Sequence, residues 1–323
     1  MDQVDLSIVV PVYGSVDCLV ALIDAIRASL PPTACSHEVV LVNDGSPDGS
    51  WGVIQQVCQQ HPNVVGVNLR RNFGQDNAIL TGIRIARGRS IAIMDDDLQH
   101  DPRDLPSLVK RIEEGCDVVY ATFRSKQQAL WKNLGSWLNG KVAEWVVAKP
   151  KGLYLSPYKA LRGALAREIA TFQGPFPYLD GLILQATANL GSVEVEHRGR
   201  YAGTGHYDLR KSIQLWTRLA FSFSVLPLRW IAVLGTVLAG IAMALVVATI
   251  FYRLTAPEEF GVYAVGWASL MVTLLLVSGI QMIFFGIIGE YLGRAYLTLA
   301  RKPQATIASV LNGELPPEPP ARP

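Results

Sequence analysis

The chain has 323 residues, 50% of them hydrophobic and only 17% charged, with a net charge of +2. That balance excludes a nucleic-acid binder, which needs a concentrated basic footprint, and no Lys/Arg-rich run with interleaved aromatics occurs. Four widely spaced cysteines (Cys18, Cys35, Cys58, Cys116) without a C-x-x-C pair, and five histidines without an i, i+4 pair, speak against a zinc site or a disulfide frame and suit a reducing compartment.

Residues 6–13 form a β-rich run that breaks at Gly14-Ser15, and Asp2 and Asp5 stand where a secretory signal would carry basic residues. Apolar residues recur at helical spacing over 16–30 and are closed by Pro31-Pro32. A second strand over 38–42 runs into the polar turn Asn43-Asp44-Gly45-Ser46. A helix (51–60), a strand (64–69), a loop (70–75) and a helix (76–86) follow. The strand over 90–94 then leads straight into Asp95, Asp96 and Asp97, with Gln99 two positions on. Along an extended chain Asp95, Asp97 and Gln99 share one side and Asp96 takes the other. Such hard oxygens suit Mg²⁺ or Mn²⁺, which often take one or two carboxylates plus substrate phosphates. The same run also fits a solvated acidic turn ahead of a helix started by Pro102.

A helix over 106–114 and a strand over 117–122 continue the alternation, which predicts a mostly parallel sheet in an α/β domain. Ligands bind such sheets at the carboxyl ends of their strands, where Tyr13-Gly14, Asn43 to Ser46 and Asp95 to Gln99 all fall. Residues 131–147 mix aromatics with Lys132 and Lys141, and fit either a helix on a membrane surface or one packed on the sheet. Beyond the interrupted stretch around Gly174-Pro175-Phe176-Pro177 comes a basic loop from Arg198 to Tyr207.

Residues 208–227 have one broad apolar face (Leu209, Ile213, Trp216, Leu219, Ala220, Phe223) with Arg210, Lys211 and Arg218 off it, as in an interfacial helix. Two uncharged runs follow, roughly 23 residues over 230–252 and roughly 30 over 260–289, each long enough to cross a bilayer. Basic residues flank the pair at both ends, while the connecting loop has Arg253 beside Glu258 and Glu259, so both ends are expected in the cytoplasm. The expected organisation is a cytoplasmic domain (1–207), an interfacial helix (208–227), a two-helix transmembrane hairpin (228–290, with spans at about 230–252 and 264–289) and a cytoplasmic tail (291–323) whose Pro-rich end is disordered.

A carboxylate cluster in a domain tethered to a bilayer pairs naturally with a nucleotide diphosphate, whose departing charge a cation offsets. Arg124, Lys132, Arg198 and Arg200 suit an anionic lipid headgroup, and equally fit solvated surface charge.

Val10-Pro11-Val12-Tyr13, Val42-Asn43-Asp44-Gly45-Ser46, Arg71-Asn72-Phe73-Gly74 and Met94-Asp95-Asp96-Asp97-Leu98-Gln99 resemble successive motifs of the family 2 glycosyltransferases. More narrowly, the chain resembles the polyprenyl-phosphate glycosyltransferases, among them dolichol-phosphate mannose synthase, the bactoprenol glucosyltransferases of O-antigen modification and the aminoarabinose transferase of lipid A modification. The hairpin ending Gly289-Glu290-Tyr291-Leu292-Gly293-Arg294 points to the bacterial branch, and the resemblance reaches about Lys302.

This resemblance implies a GT-A, Rossmann-like catalytic domain. Pro11, Val12, Tyr13, Asp44, Gly45, Asn72, Asp95 and Asp96 would hold the nucleotide, and Asp95, Asp97 and Gln99 the Mg²⁺ or Mn²⁺. Asp96, Asp97, Arg124 and Arg200 would be catalytic, with Arg124, Lys132, Ser156, Arg200 and His206 on the acceptor phosphate. The implied reaction moves one sugar, with UDP-glucose the first choice of donor, onto undecaprenyl phosphate with inversion, at the inner membrane of a bacterium. A homo-oligomer is implied, a tetramer among the options. Departures from the family pattern are Gly14-Ser15 for Asn-Glu, Asn43 for the first Asp of a pair, Gly205-His206 for Ser-Lys, and Ser156-Pro157-Tyr158-Lys159 for Ser-Phe-Arg/Lys. The rival readings are a processive polysaccharide synthase, a sugar-lipid flippase and a non-catalytic nucleotide-binding membrane module. Against the first, Leu226 precedes Arg229-Trp230 where Gln-x-x-Arg-Trp is usual.

Overall fold

A computed structural model describes residues 3–30, 35–123, 153–174, 177–195, 226–255, 266–300 and 303–315. The chain divides into two compact units, one of residues 1–213 with 301–323 and one of residues 214–300.

The first unit opens with β1 (Leu6–Val12), all seven residues of which are buried. A strand buried on both faces needs a continuous apolar run, and this one has it. After it come α1 (Leu19–Ser29), β2 (His37–Asn43), α2 (Ser50–Gln60), β3 (Val64–Leu69), α3 (Gln75–Ile85) and β4 (Ser90–Ile93). Leu19, Leu22, Ile23 and Ile26 give α1 a single buried stripe, the spacing that packs a crossover helix on a sheet. A 3₁₀ turn at Pro102–Asp104, capped by the Asp101 side chain on the Arg103 N–H, leads into α4 (Leu105–Glu113). The unit continues with β5 (Val118–Phe123), β6 (Lys159–Arg162), α5 (Gly163–Ala170), α6 (Leu179–Ala186), β7 (Leu190–Val195) and, much later in sequence, β8 (Ile307–Leu311).

These strands make one sheet in the order β7-β5-β6-β4-β1-β2-β3-β8. The block β4-β1-β2-β3 is parallel, as is the β5–β7 pair, while β6 and β8 run antiparallel to their neighbours. The expected α/β class and mostly parallel sheet are therefore present. From β1 the chain winds to β2 and β3 on one side and reaches β4 on the other. That reversal opens a crevice beyond the carboxyl ends of β1 and β4, the usual ligand position in such sheets.

In the second unit α7 (Leu226–Thr255) and α8 (Gly266–Leu299) are described. Among the described residues one stretch, Val277–Leu299, is long and apolar enough to cross a membrane. Met282, Phe285 and Leu292 on it are exposed.

Two regions differ from the expectations. The stretch read only as interrupted by Gly, Ser and Pro contains β6, α5, α6 and β7. The expected tail contains β8, which pairs with β3 along Gly66 to Leu69 and covers an edge that would otherwise be bare. Residues 131–147 and 208–225 lie outside the described residues.

Candidate functional site

Three loops, the first after β1, the second after β2 and the third after β3 (residues 70–75), meet the carboxylate turn after β4 at the crevice. The first leaves β1 through Tyr13, Gly14 (φ +70°) and Ser15. Across the crevice Asp96 accepts the Tyr13 N–H at 3.2 Å and the Ser15 hydroxyl at 2.5 Å. Ser15, where the family pattern carries a glutamate, gives that aspartate a hydroxyl donor.

The second loop follows β2. Asp44 is buried and its carboxylate accepts the Phe73 N–H at 2.7 Å and the Gly74 N–H at 2.9 Å, one on each oxygen. Burial pushes the Asp44 pKa up, and these two N–H groups oppose the shift. Gly45 (φ +64°) lies against the third loop so closely that a Cβ there would sit 2.5 Å from the Arg71 carbonyl carbon. Asn43, the other departure, donates to Asn68 Oδ1 at 2.7 Å and accepts the Ser46 N–H at 3.3 Å, so it braces β2 against β3 as an amide.

The carboxylate run itself forms a tight turn. Leu98 has φ 61°, unusual for a residue with a side chain, and Asp97 accepts the Gln99 N–H at 3.1 Å. The Asp95 N–H donates to Nδ1 of buried His100 at 3.0 Å. That ring stacks on Tyr158 at 4.9 Å, and the Tyr158 hydroxyl donates to the Asp101 carbonyl at 3.0 Å. From the third loop, Gln75 Nε2 donates to Asp95 Oδ1 at 2.8 Å. Beside this group a buried Lys159 pairs with Asp180, which also accepts the Tyr120 hydroxyl at 3.0 Å.

Burial, then the charges of Asp97 and Asp96, push Asp95 up to about 6, against the pull of Lys159 and Gln75. Burial likewise raises Asp96, against its bonds from Ser15 and Tyr13. Carboxylates that resist ionisation side by side are short of positive charge, and a divalent cation fits that deficit. Among the described residues no group of three or more His, Cys, Asp or Glu side chains is arranged to hold a metal alone. Two carboxylates completed by substrate phosphates is the usual arrangement for Mg²⁺, so the donor set fits such an ion without forming a closed cage.

The cleft above these loops has a volume of about 590 Å³ and is lined by Pro11, Val12, Tyr13, Asp44, Asn72, Asp95, Asp96 and Asp97 among others. All of these were expected at the site. Gly45 supports the cleft through its contact with the Arg71–Asn72 backbone, and Gln99 is half-buried outside its lining. Ser156, expected on the acceptor phosphate, is fully buried and its hydroxyl accepts the Tyr158 N–H at 3.2 Å, so it shapes the turn before β6 and lies outside the cleft lining. Arg124, Lys132, Arg198, Arg200 and His206 lie outside the described residues. Sequence reasoning missed Ser15 and Gln75 in the lining and His100 beneath it. The position of Gln75 one residue after Gly74, at a strand-loop-helix junction, was the available signal.

Residues 7–172 match the family model described as Glycosyl transferase family 2. The undecaprenyl-phosphate 4-deoxy-4-formamido-L-arabinose transferase of Aeromonas hydrophila is 31% identical over 322 residues, covering 96% of this chain and 95% of that protein. The transferase of the same description from Serratia proteamaculans is 30% identical over 311 residues, covering 96% and 94%. A glycosyltransferase of Synechocystis sp. is 31% identical over 304 residues, covering 93% of each. Among solved structures, glucosyl-3-phosphoglycerate synthase of Mycobacterium tuberculosis in complex with Mn²⁺, UDP-glucose and phosphoglyceric acid is 17% identical, covering 69% of this chain and 79% of that one with a TM-score of 0.48.

Proposed function

The chain belongs to glycosyl transferase family 2, among relatives that are undecaprenyl-phosphate sugar transferases, and from that membership we propose that it moves a single sugar from a nucleotide donor to undecaprenyl phosphate with inversion. The observation that carries this reading is the crevice beyond β1 and β4, where Asp95, Asp96 and Asp97 face a cleft floored by the Asp44 turn.

In the proposed mechanism Pro11, Val12, Tyr13, Asp44 and Asn72 hold the nucleotide. Asp95 and Asp97, with Gln99 beside them, would hold Mg²⁺ or Mn²⁺, and the cation supplies neutralising charge at the departing diphosphate. A lipid phosphate is largely ionised at neutral pH, its second pKa being about 6. It therefore attacks the anomeric carbon without a general base, which a hydroxyl acceptor would need. Arg124, Lys132, Arg200 and His206 are assigned to orienting that phosphate, and Asp96 to holding the β1 loop against the donor. The expected donor sugar, glucose on UDP, has a direct competitor in the formamido-arabinose that the relatives' names carry.

Membrane anchoring in a bacterial inner membrane belongs to the same reading. Val277–Leu299 supports one crossing. The return of β8 to the sheet supports an even number of crossings, because residues 6–195 and 307–311 then lie on one side. Two spans, with residues 230–252 as the first, meet that condition and keep both ends on one side, which the basic residues flanking the pair assign to the cytoplasm. A homo-oligomer fits the open space around Gly235, Gly240, Gly279, Gly286 and Gly289, where an added Cβ meets nothing within 4 Å.

The test is product formation by the detergent-purified protein from undecaprenyl phosphate and a panel of labelled nucleotide sugars, with Mg²⁺ or Mn²⁺ and again with EDTA. A lipid-linked monosaccharide formed only with metal is the expected result and names the sugar. Label extending into a polymer, or no product with any donor from folded protein, sinks the proposal.

A further inference from the structure

Within the first unit, residues 304–312 fasten to the last turn of α3 and to Arg70, where the chain leaves β3 on its way to α3. Gln304 is 8% exposed, its Oε1 accepts from Arg84 in the last turn of α3, and its Nε2 donates to the Gly174 carbonyl at 2.6 Å. The same guanidinium donates to the carbonyls of Ala170 at 2.9 Å and Phe172 at 3.0 Å, so Arg84 is a half-buried hub that Gln304 completes. Two residues on, the Thr306 carbonyl accepts the Arg70 N–H at 2.9 Å. Arg70 begins the loop that ends at the N-terminus of α3.

The strand β8 then pairs with β3, with a register shift at Asn68/Leu69, immediately before that loop. Shifts of this kind re-aim the residues that follow them. Asn68, opposite Ser309, is the residue whose Oδ1 takes the Asn43 amide, and Asn43 in turn holds Ser46. At the far end Asn312 (φ 55°) donates to the carbonyls of Cys58 at 2.6 Å and Val64 at 2.9 Å. One short segment thus touches the supports of both nucleotide loops, and it begins a few residues after α8 ends.

We propose that residues 304–312 are a positioning strap for the donor-binding loop, with Gln304 fixing the last turn of α3 and the Thr306 carbonyl fixing Arg70 at the start of the loop before it, thereby holding the Phe73 and Gly74 N–H groups against Asp44 and the Gln75 side chain against Asp95. Donor affinity then depends on chain that emerges from the apolar helix, not only on the motifs of the first 123 residues. The word donor rests on the transferase reading above; the mechanical coupling does not.

The experiment uses the full-length, detergent-purified Gln304→Ala protein in two arms. In the first, hydrogen exchange of the Arg70 to Gly74 amides is followed without any ligand. About tenfold faster exchange is expected there, with β1 and β4 amides unchanged. The second arm measures steady-state kinetics with undecaprenyl phosphate and the labelled nucleotide sugar that the unmodified protein uses. A donor KM raised about fivefold, with kcat and acceptor KM within about twofold, supports the strap. Gln304→Glu keeps an acceptor for Arg84 but loses the bond to Gly174, and its donor KM should fall between. Unchanged exchange at those amides overturns the proposal, as does a loss confined to kcat. Asn312→Ala, which loosens the other end of the strap, is read by the same two arms if Gln304→Ala does not fold. An unmodified protein that makes no product defeats the transferase reading, while the exchange arm still judges the strap.

Discussion

Gln75 donates its side-chain Nε2 to Oδ1 of Asp95 at 2.8 Å, tying the first residue of α3 to a carboxylate two positions beyond β4. The bond links the donor loop to the proposed metal ligands and partly offsets the crowding of three aspartates. Gln75→Leu removes it and leaves Asp95 with less compensation. Mn²⁺ affinity and kcat/KM for the donor should each fall roughly five- to thirtyfold, with acceptor KM unchanged. Gln75→Glu replaces the donor with a fourth carboxylate, which attracts the cation but repels the donor diphosphate, so Mn²⁺ affinity should not fall as in the leucine variant while kcat/KM for the donor should. Mn²⁺ titration by electron paramagnetic resonance and initial rates measure both; equal affinity in all three proteins rules the coupling out.

Asp97 carries the sharpest prediction about chemistry. It is half-buried and accepts the Gln99 N–H, a contact worth about 1 kcal/mol to the fold. Asp97→Ala should lower turnover by about 10²- to 10³-fold, the scale on which removing an electrostatic stabiliser of the transition state registers. The melting temperature should move by only a few degrees. Full turnover in this variant would make the metal assignment wrong.

The burial of Asp95, followed by the crowding of the neighbouring carboxylates, also sets a pH dependence. Asp95 stands at about 6 in the folded chain against 3.8 as the ordinary value. Between those values the folded protein keeps a proton that the unfolded chain has released, so this group's contribution to stability falls as pH rises and levels off above about 6. In EDTA, Asp95→Asn should therefore match the unmodified protein near pH 3.8 and exceed its denaturant midpoint at pH 7. Mn²⁺ requires the ionised form, so its affinity should climb through the same window. A gap between the two proteins that does not change with pH removes Asp95 as the titrating group.

The strands that cradle the site were legible because each is a continuous apolar run. Ile8, Val9, Val10, Val39, Val40 and Leu41 are all buried, and a chain buried on both faces has to be written that way. β6 was hidden because it begins and ends in cations. Lys159 and Arg162 suit a sheet only through Asp180 and Asp117, partners that are distant in sequence. β8 was hidden because a five-residue strand after a long apolar helix resembles a polar tail. At the site, Asp44 and the Asp95 to Asp97 run announce their chemistry by residue type. Ser15, Gln75 and His100 do not, since each matters only through the atom it meets across the crevice.

Gly45 tests the contact between the two nucleotide loops. Its φ of +64° strains any other residue, and a Cβ would lie 2.5 Å from the Arg71 carbonyl carbon and 2.6 Å from the Asn72 nitrogen. Both obstacles are backbone, so the loops must part for an alanine to fit. Gly45→Ala should cost roughly 2–4 kcal/mol by denaturant titration. Nucleotide binding should weaken further, because Phe73 and Gly74 are displaced from Asp44. Gly52, where an added Cβ meets nothing within 4 Å, is the control, and Gly52→Ala should be neutral or slightly stabilising.

The pairing of β8 with β3 makes membrane topology testable by parity. Gly66 to Leu69 and Ile307 to Leu311 are hydrogen-bonded partners in one sheet, so they occupy the same side of any membrane that the chain between them crosses. If Val277–Leu299 is a span, one further crossing is required between residues 214 and 276, and the uncharged stretch over 230–252 is the candidate. The four cysteines all lie before residue 214, so single cysteines can be introduced into a cysteine-free protein at Ser309, in the segment 256–265 and at Asp24. In sealed inverted vesicles a membrane-impermeant maleimide should label the first and third positions and leave the second unlabelled until detergent is added. Labelling of all three before detergent would mean that no segment crosses. Opposite protection of Asp24→Cys and Ser309→Cys is incompatible with the sheet itself.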